Sequence, residues 1–249
     1  MSLPEIKEWH VETLRLTLFS TEAVNASGRG WWKSVVQVDP ESILNRQSAG
    51  EYSESGEFLG GQFDMRVVFN RVDWILSYPF SDMPGAPAPG DFSVLVNKWL
   101  QLLKSWLDNV EFPVTRIAAG AVLLKKTESG SAGNALLGEY FQILNIGDPD
   151  AIADLLLQAN SPVMFKSVDG LRHNRISKMA VLDRQMITIG PAGFPTTVVD
   201  TVLRNELDMS SAVDNFEHIP SESLHPLTVE MADAFMGILQ YGLVNEKIQ

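Results

Sequence analysis

Phe63-Asp-Met-Arg-Val-Val-Phe-Asn-Arg-Val-Asp-Trp-Ile-Leu-Ser77 and Val198-Val-Asp-Thr-Val-Leu-Arg-Asn-Glu-Leu-Asp-Met-Ser-Ser-Ala212 echo each other at a constant shift of 135 residues. Extended in register and without a gap, Phe63 to Leu107 lies over Val198 to Gly242. Val67/Val202, Val72/Leu207, Val96/Met231, Leu100/Phe235 and Leu103/Ile238 pair apolar with apolar, as any two strand-then-helix segments would. The polar matches Asn70/Asn205 and Asp73/Asp208 carry more weight, because burial patterning alone does not produce them.

Gln62 to Tyr78 and Thr196 to Met209 read as long strands rich in β-branched and aromatic residues, the first ended by Pro79. Each is followed by a helix. Asp91 is the N-cap of one, with Val96, Trp99, Leu100, Leu103, Trp106 and Leu107 at the spacing of a buried stripe; the other spans about Ser223 to Leu243. His10 to Phe19 alternates like a half-buried strand, and Trp31 to Asp39 and Val114 to Lys126 also read as strands. Glu41 to Gly61 is polar and reads as a long mobile connection with a helical turn at Pro40 to Asn45. Met83 to Gly90, rich in proline, reads as a loop, as does Gly190 to Pro195. Short helices are predicted near Asn134 to Leu144 and Pro149 to Gln158, and short strands at Val163 to Val168, Asn174 to Leu182 and Met186 to Ile189, the last two joined by an Asp183-Arg184 turn.

The fold expected is α+β: two related halves, each an antiparallel sheet covered by one long amphipathic helix, with extra short helices between them. The halves are residues 1–160 and 161–249, with one continuous domain as the alternative.

The chain has 249 residues, 45% of them hydrophobic and 20% charged, enough to bury a core of its own. No apolar run reaches the roughly 18 to 20 residues of a membrane helix. The N-terminal Met1-Ser2-Leu3-Pro4-Glu5 lacks the basic and apolar regions of a signal peptide, so a cytoplasmic location is expected. With no cysteine, disulfides, thiolate metal sites, iron–sulfur clusters and thiol catalysis are all excluded. A formal net charge of −12 opposes sequence-independent binding to nucleic acid and to anionic lipid.

Few residues suggest chemistry. His218 and His225 lack the spacing of a helical ligand pair, and Ser129-Gly-Ser-Ala-Gly133 lacks the Gly-Lys-Ser/Thr ending of a phosphate loop. No catalytic residue, metal or cofactor is assigned. Asn70 and Asn205 fall on apolar strand faces, where an amide needs hydrogen-bond partners; they either pin neighbouring elements or line a pocket between the halves. Arg172, Arg175 and Lys178 lie in a basic stretch from Lys166 to Arg184 of an otherwise acidic chain; they read as solubilising charges on an exposed strand face or, alternatively, as contacts for an anionic ligand. Trp31 and Trp32 follow Gly28-Arg29-Gly30; on a strand they face opposite ways, so while one is core the other packs under a second layer, serves a protein interface or stacks on a ligand.

The element order, the run Phe112-Pro-Val-Thr-Arg-Ile-Ala-Ala-Gly120 after a helix, and a strand into Leu207-Asp208 before a final helix resemble an uncharacterised, sporadically distributed bacterial protein family. Where that family would show an Arg-Tyr-x-Asn run after Gly120, this chain has Ala121-Val-Leu-Leu-Lys125. The resemblance implies a bacterial α+β protein and no activity. By elimination, the expected function is a non-enzymatic binding or assembly module acting through a protein partner or a homo-oligomer. The alternative is an enzyme or sensor for a small molecule or nucleotide, with a cleft between the halves.

Overall fold

The computed structural model describes residues 3–78, 91–141, 146–189 and 195–243. The predicted loops at Met83 to Gly90 and over residues 190–194, and the far end of the helix predicted to Leu144, lie outside them. The described strands are β1 (His10–Ser20), β2 (Ser42–Arg46), β3 (Glu51–Phe58), β4 (Gly61–Val68), β5 (Arg71–Ser77), β6 (Val114–Thr127), β7 (Leu156–Asn160), β8 (Val163–Met164), β9 (Arg172–Ile189) and β10 (Pro195–Ser211). The helices are α1 (Trp31–Val36), α2 (Phe92–Leu107), α3 (Gly130–Tyr140) and α4 (Ser221–Tyr241).

All the strands join in one antiparallel sheet of order β2-β3-β4-β5-β1-β6-β10-β9-β7, with β8 also on β9. This overturns the expected two halves, each a sheet under its own helix. β6 is bonded to β1 along one side and to β10 along the other, so the ladder never breaks. The two long helices touch each other as one layer, α2 also against β1 and α4 against β6 and β10.

The echo has no structural counterpart. β4 and β5 form a hairpin in which Val68 faces Arg71 across Phe69-Asn70, whereas the second stretch is one unbroken strand between β6 and β9. Phe69 takes φ 54, a left-handed conformation in which a bulky side chain is an outlier, so composition gives no sign of the turn. Asn70 therefore sits in a turn and Asn205 in mid-strand.

Four further segments differ from expectation. Trp31 to Val36 is helical; Glu41 to Gly61 holds the β2–β3 hairpin and the start of β4; and the predicted helix at Pro149 to Gln158 is a 3-10 turn, Pro149–Ala151, followed by β7. β9 runs straight through Asp183-Arg184. The long amphipathic elements follow the pattern. Asp91 accepts a hydrogen bond from the Ser93 N–H at 2.8 Å, and Trp99, Leu103, Trp106, Phe235 and Ile238 are all buried. No helix among the described residues is long and apolar enough to cross a membrane.

The helices share one face of the sheet. α1 packs Trp32 on Phe63 of β4, α3 sets Gly133 against Val181 of β9, and Tyr140 of α3 donates to the Leu239 carbonyl of α4 at 3.2 Å. Among the described residues no element covers the other face, which is laced with polar contacts. Thr17 donates to Asp73 at 2.7 Å, and Arg15 reaches over Gly120 to Asp208 at 3.8 Å.

Gly61 is required by close approach. A Cβ there would lie 2.7 Å from the Ser77 carbonyl and 2.9 Å from the Tyr78 ring. Backbone of the paired strand cannot yield as a side-chain tip can. Gly61→Ala is expected to cost about 1 to 3 kcal/mol by urea denaturation, and an unchanged midpoint would show that the β4–β5 ladder shifts freely.

Candidate protein-contact site

Aromatic residues run in contact from the surface into the core. Trp31 meets the edge of Trp106 with ring centroids 5.7 Å apart, Trp106 meets Trp74 at 5.3 Å, Trp74 stacks on Phe63 at 5.4 Å, and Phe63 touches Trp32 at 5.5 Å. Trp31 and Trp32, adjacent in sequence, are thus the two ends of one aromatic path. Their divergence comes from a short helix, where neighbours point about 100° apart, and not from strand alternation. Trp32 is 1% exposed, which places it in the core.

α1 is only six residues long and is fixed from outside itself. The Trp32 N–H donates to the buried Glu54 carboxylate at 3.2 Å, supplying the anionic partner that a helix N-terminus favours. Tyr52 donates to the same carboxylate at 2.6 Å; burial first, and then this bond, push the phenol up to about 12. Gly30, left-handed at φ 65, turns the chain into the helix.

Trp31 remains half-buried and stands between two clefts. One of about 210 Å³ is formed with Val24, Asn25 and Phe112, the other of about 400 Å³ with Ser34, Ser105 and Asn109. Both clefts share Arg29, Trp31 and Glu111. Arg29 pairs with Glu111, and its guanidinium lies 6.0 Å from the Trp31 ring centroid, within cation–π range. Phe112 supports the ring from the β6 side at 5.8 Å. An aromatic side chain held from behind by other rings, with an exposed ion pair at its rim, has the composition of a protein-binding centre.

The other candidate residues do not converge. Asn70 is exposed and donates to the Ser20 carbonyl at 2.8 Å, tying the β4–β5 turn to the end of β1. Asn205 is fully buried on the helix side of β10 and accepts from the Ser177 hydroxyl at 3.0 Å. Arg172 is exposed and pairs with Asp214 at 3.1 Å. Arg175 is 8% exposed and donates to the Ser161 carbonyl at 2.9 Å. Lys178 lies on the uncovered face, paired with Glu206 at 3.2 Å. β9 alternation divides the basic stretch between the two faces of the sheet. Asp73 and Asp208 are also apart, the first held by Thr17 and Arg71 and the second by Arg15.

Sequence reasoning missed Arg29, Glu111 and Phe112 as companions of Trp31. Glu111 and Phe112 lie about 80 residues away, where nothing local marks them. Among the described residues no group of three or more His, Asp or Glu side chains is placed to hold a metal ion. Neither a protein-family model nor a curated protein matches the chain.

Proposed function

We propose that this protein is a non-enzymatic binding module of the bacterial cytoplasm that contacts a protein partner through Trp31 and the Arg29–Glu111 rim. The observation that carries the reading is the aromatic path behind Trp31. A side chain already fixed by its neighbours loses little rotamer freedom on binding, so more of its burial becomes affinity. The clefts beside it are shallow and mixed in polarity, which suits a protein surface better than an enclosed small molecule.

Trp31 is also a built-in reporter. The other five tryptophans, at positions 9, 32, 74, 99 and 106, are each at most 5% exposed, so an aqueous quencher acts chiefly on Trp31. Bacterial proteins retained by the immobilised wild-type chain are compared with those retained by Trp31→Ala. A partner is expected that is lost by at least tenfold with Trp31→Ala and that, once purified, protects Trp31 from acrylamide. A partner bound equally by both chains would refute the assignment. So would a nucleotide or metabolite that stabilises the protein thermally and loses that effect in Trp31→Ala.

A further inference from the structure

The two ends of the sheet are unlike. At one end β7 and β8 both pair with β9 and are separated by Ser161-Pro162, so a proline and a change of strand interrupt that border. Such devices keep an edge from pairing with another chain. β2 at the opposite end has none of them. Its five residues, Ser-Ile-Leu-Asn-Arg, pair with β3 in unbroken register from Ser42↔Ser55 to Arg46↔Glu51, without a bulge, a proline or a lysine. Among the described residues no strand lies on its outer side.

β2 also contributes little to the core. All five residues are exposed, Ile43 at 60% and Leu44 at 38%, and as strand neighbours these two point to opposite faces. Each surface of the edge thus carries one exposed aliphatic side chain beside a row of backbone groups that pair with no other strand among the described residues. Those groups call for a β-strand rather than a helix or a small ligand.

We propose that β2 pairs antiparallel with β2 of a second copy of this chain across a two-fold axis, joining two sheets into one. An antiparallel strand pair is self-complementary, so the same five residues serve both sides, as a two-fold interface requires. Centred on Leu44, the register sets Leu44 against its own mate, Ile43 against Asn45 and Ser42 against Arg46. The chain is strongly acidic, yet the only charge on β2 is Arg46, already paired with Glu51 at 3.3 Å. In this register the two Arg46 residues are about 13 Å apart along the strands, beyond the screening length at physiological salt. Exposed Val38, just before β2, adds to the apolar rim. The contact is small, so the dimer forms reversibly with concentration.

The absence of cysteine makes a direct test simple. Opposed residues of an antiparallel pair lie within disulfide reach, so Leu44→Cys under mild oxidation is expected to give a covalent dimer as the main product. Phe216→Cys, at a residue 82% exposed on a different loop, is expected to stay monomeric. In sedimentation equilibrium the wild-type mass is expected to double with rising concentration. The paired change Ile43→Lys with Leu44→Lys, at exposed positions that leave the core intact, is expected to return it to monomer, whereas Trp31→Ala is not. A wild-type chain that stays monomeric, Leu44→Cys cross-linking no faster than Phe216→Cys, or a dimer that survives the lysine pair would each overturn the assignment.

Discussion

Trp74→Ala is expected to destabilise the protein by about 3 to 5 kcal/mol. Trp74 is fully buried on β5 and joins the β4–β5 hairpin to α2 by lying between Phe63 and Trp106. Removing it opens a cavity that rigid neighbours cannot fill, and it breaks the aromatic path that supports Trp31. Trp74→Phe is expected to cost clearly less. It keeps a ring in the stack and removes an indole N–H that finds no acceptor in the core. Guanidinium denaturation followed by circular dichroism measures both, and a loss below about 1 kcal/mol for the alanine variant would contradict the packing described.

Acidification is expected to weaken the fold through His173. This imidazole is 3% exposed on β9 and lies flat against Phe165, with centroids 4.2 Å apart and planes within 7°. Burial first, and then the Arg175 charge, push its pKa down to about 4, with Glu230 opposing. The folded state therefore prefers the neutral ring, while the unfolded chain takes up a proton near the ordinary value of about 6.5. The stabilisation is complete above pH 6.5 and is lost as pH falls from there towards 4, on the order of 3 kcal/mol in all. His173→Phe keeps the stack and cannot titrate. The stability gap between wild type and His173→Phe should accordingly shift by about that amount between pH 7 and pH 4; a gap that does not move with pH would show that His173 is solvated.

Elements that carry their own signal were legible in the sequence. β1, β6, α2 and α4 each bury one continuous face, and the Asp91 cap is local. The misread elements take their structure from distant contacts. Trp31 to Val36 consists of good strand formers, yet it is a helix anchored by Glu54 and by the rings of Phe63 and Trp106. β2 is exposed on both faces and so shows no alternation, while β3 is largely Glu, Ser and Gly. The Phe69-Asn70 turn switches burial from the odd positions of β4 (Phe63, Met65, Val67) to the even positions of β5 (Val72, Trp74, Leu76), a break hidden by the continuous run of strand-forming residues, so a hairpin looked like one strand. Trp31 could be picked out because it is one of two adjacent tryptophans after glycines. Its partners Glu111 and Phe112 could not, since only the docking of α2 brings that segment beside α1.

The seam between β1 and β6 has a consequence for synthesis. β1 can recruit β5 and its hairpin neighbours once residue 77 has left the ribosome, but its other border pairs with residues 114–124. β6 in turn waits for β10, which follows it by some 80 residues. Through that interval the nascent chain exposes a ladder of unpaired backbone groups on β6, whose middle run from Ile117 to Leu124 is apolar apart from Gly120, the form of intermediate most prone to aggregate. At ordinary elongation rates of about 5 to 20 residues per second the exposure lasts several seconds. The same order of events makes the C-terminal third of the chain a closing element, and a ribosome stalled before β10 releases an open sheet edge to the chaperones.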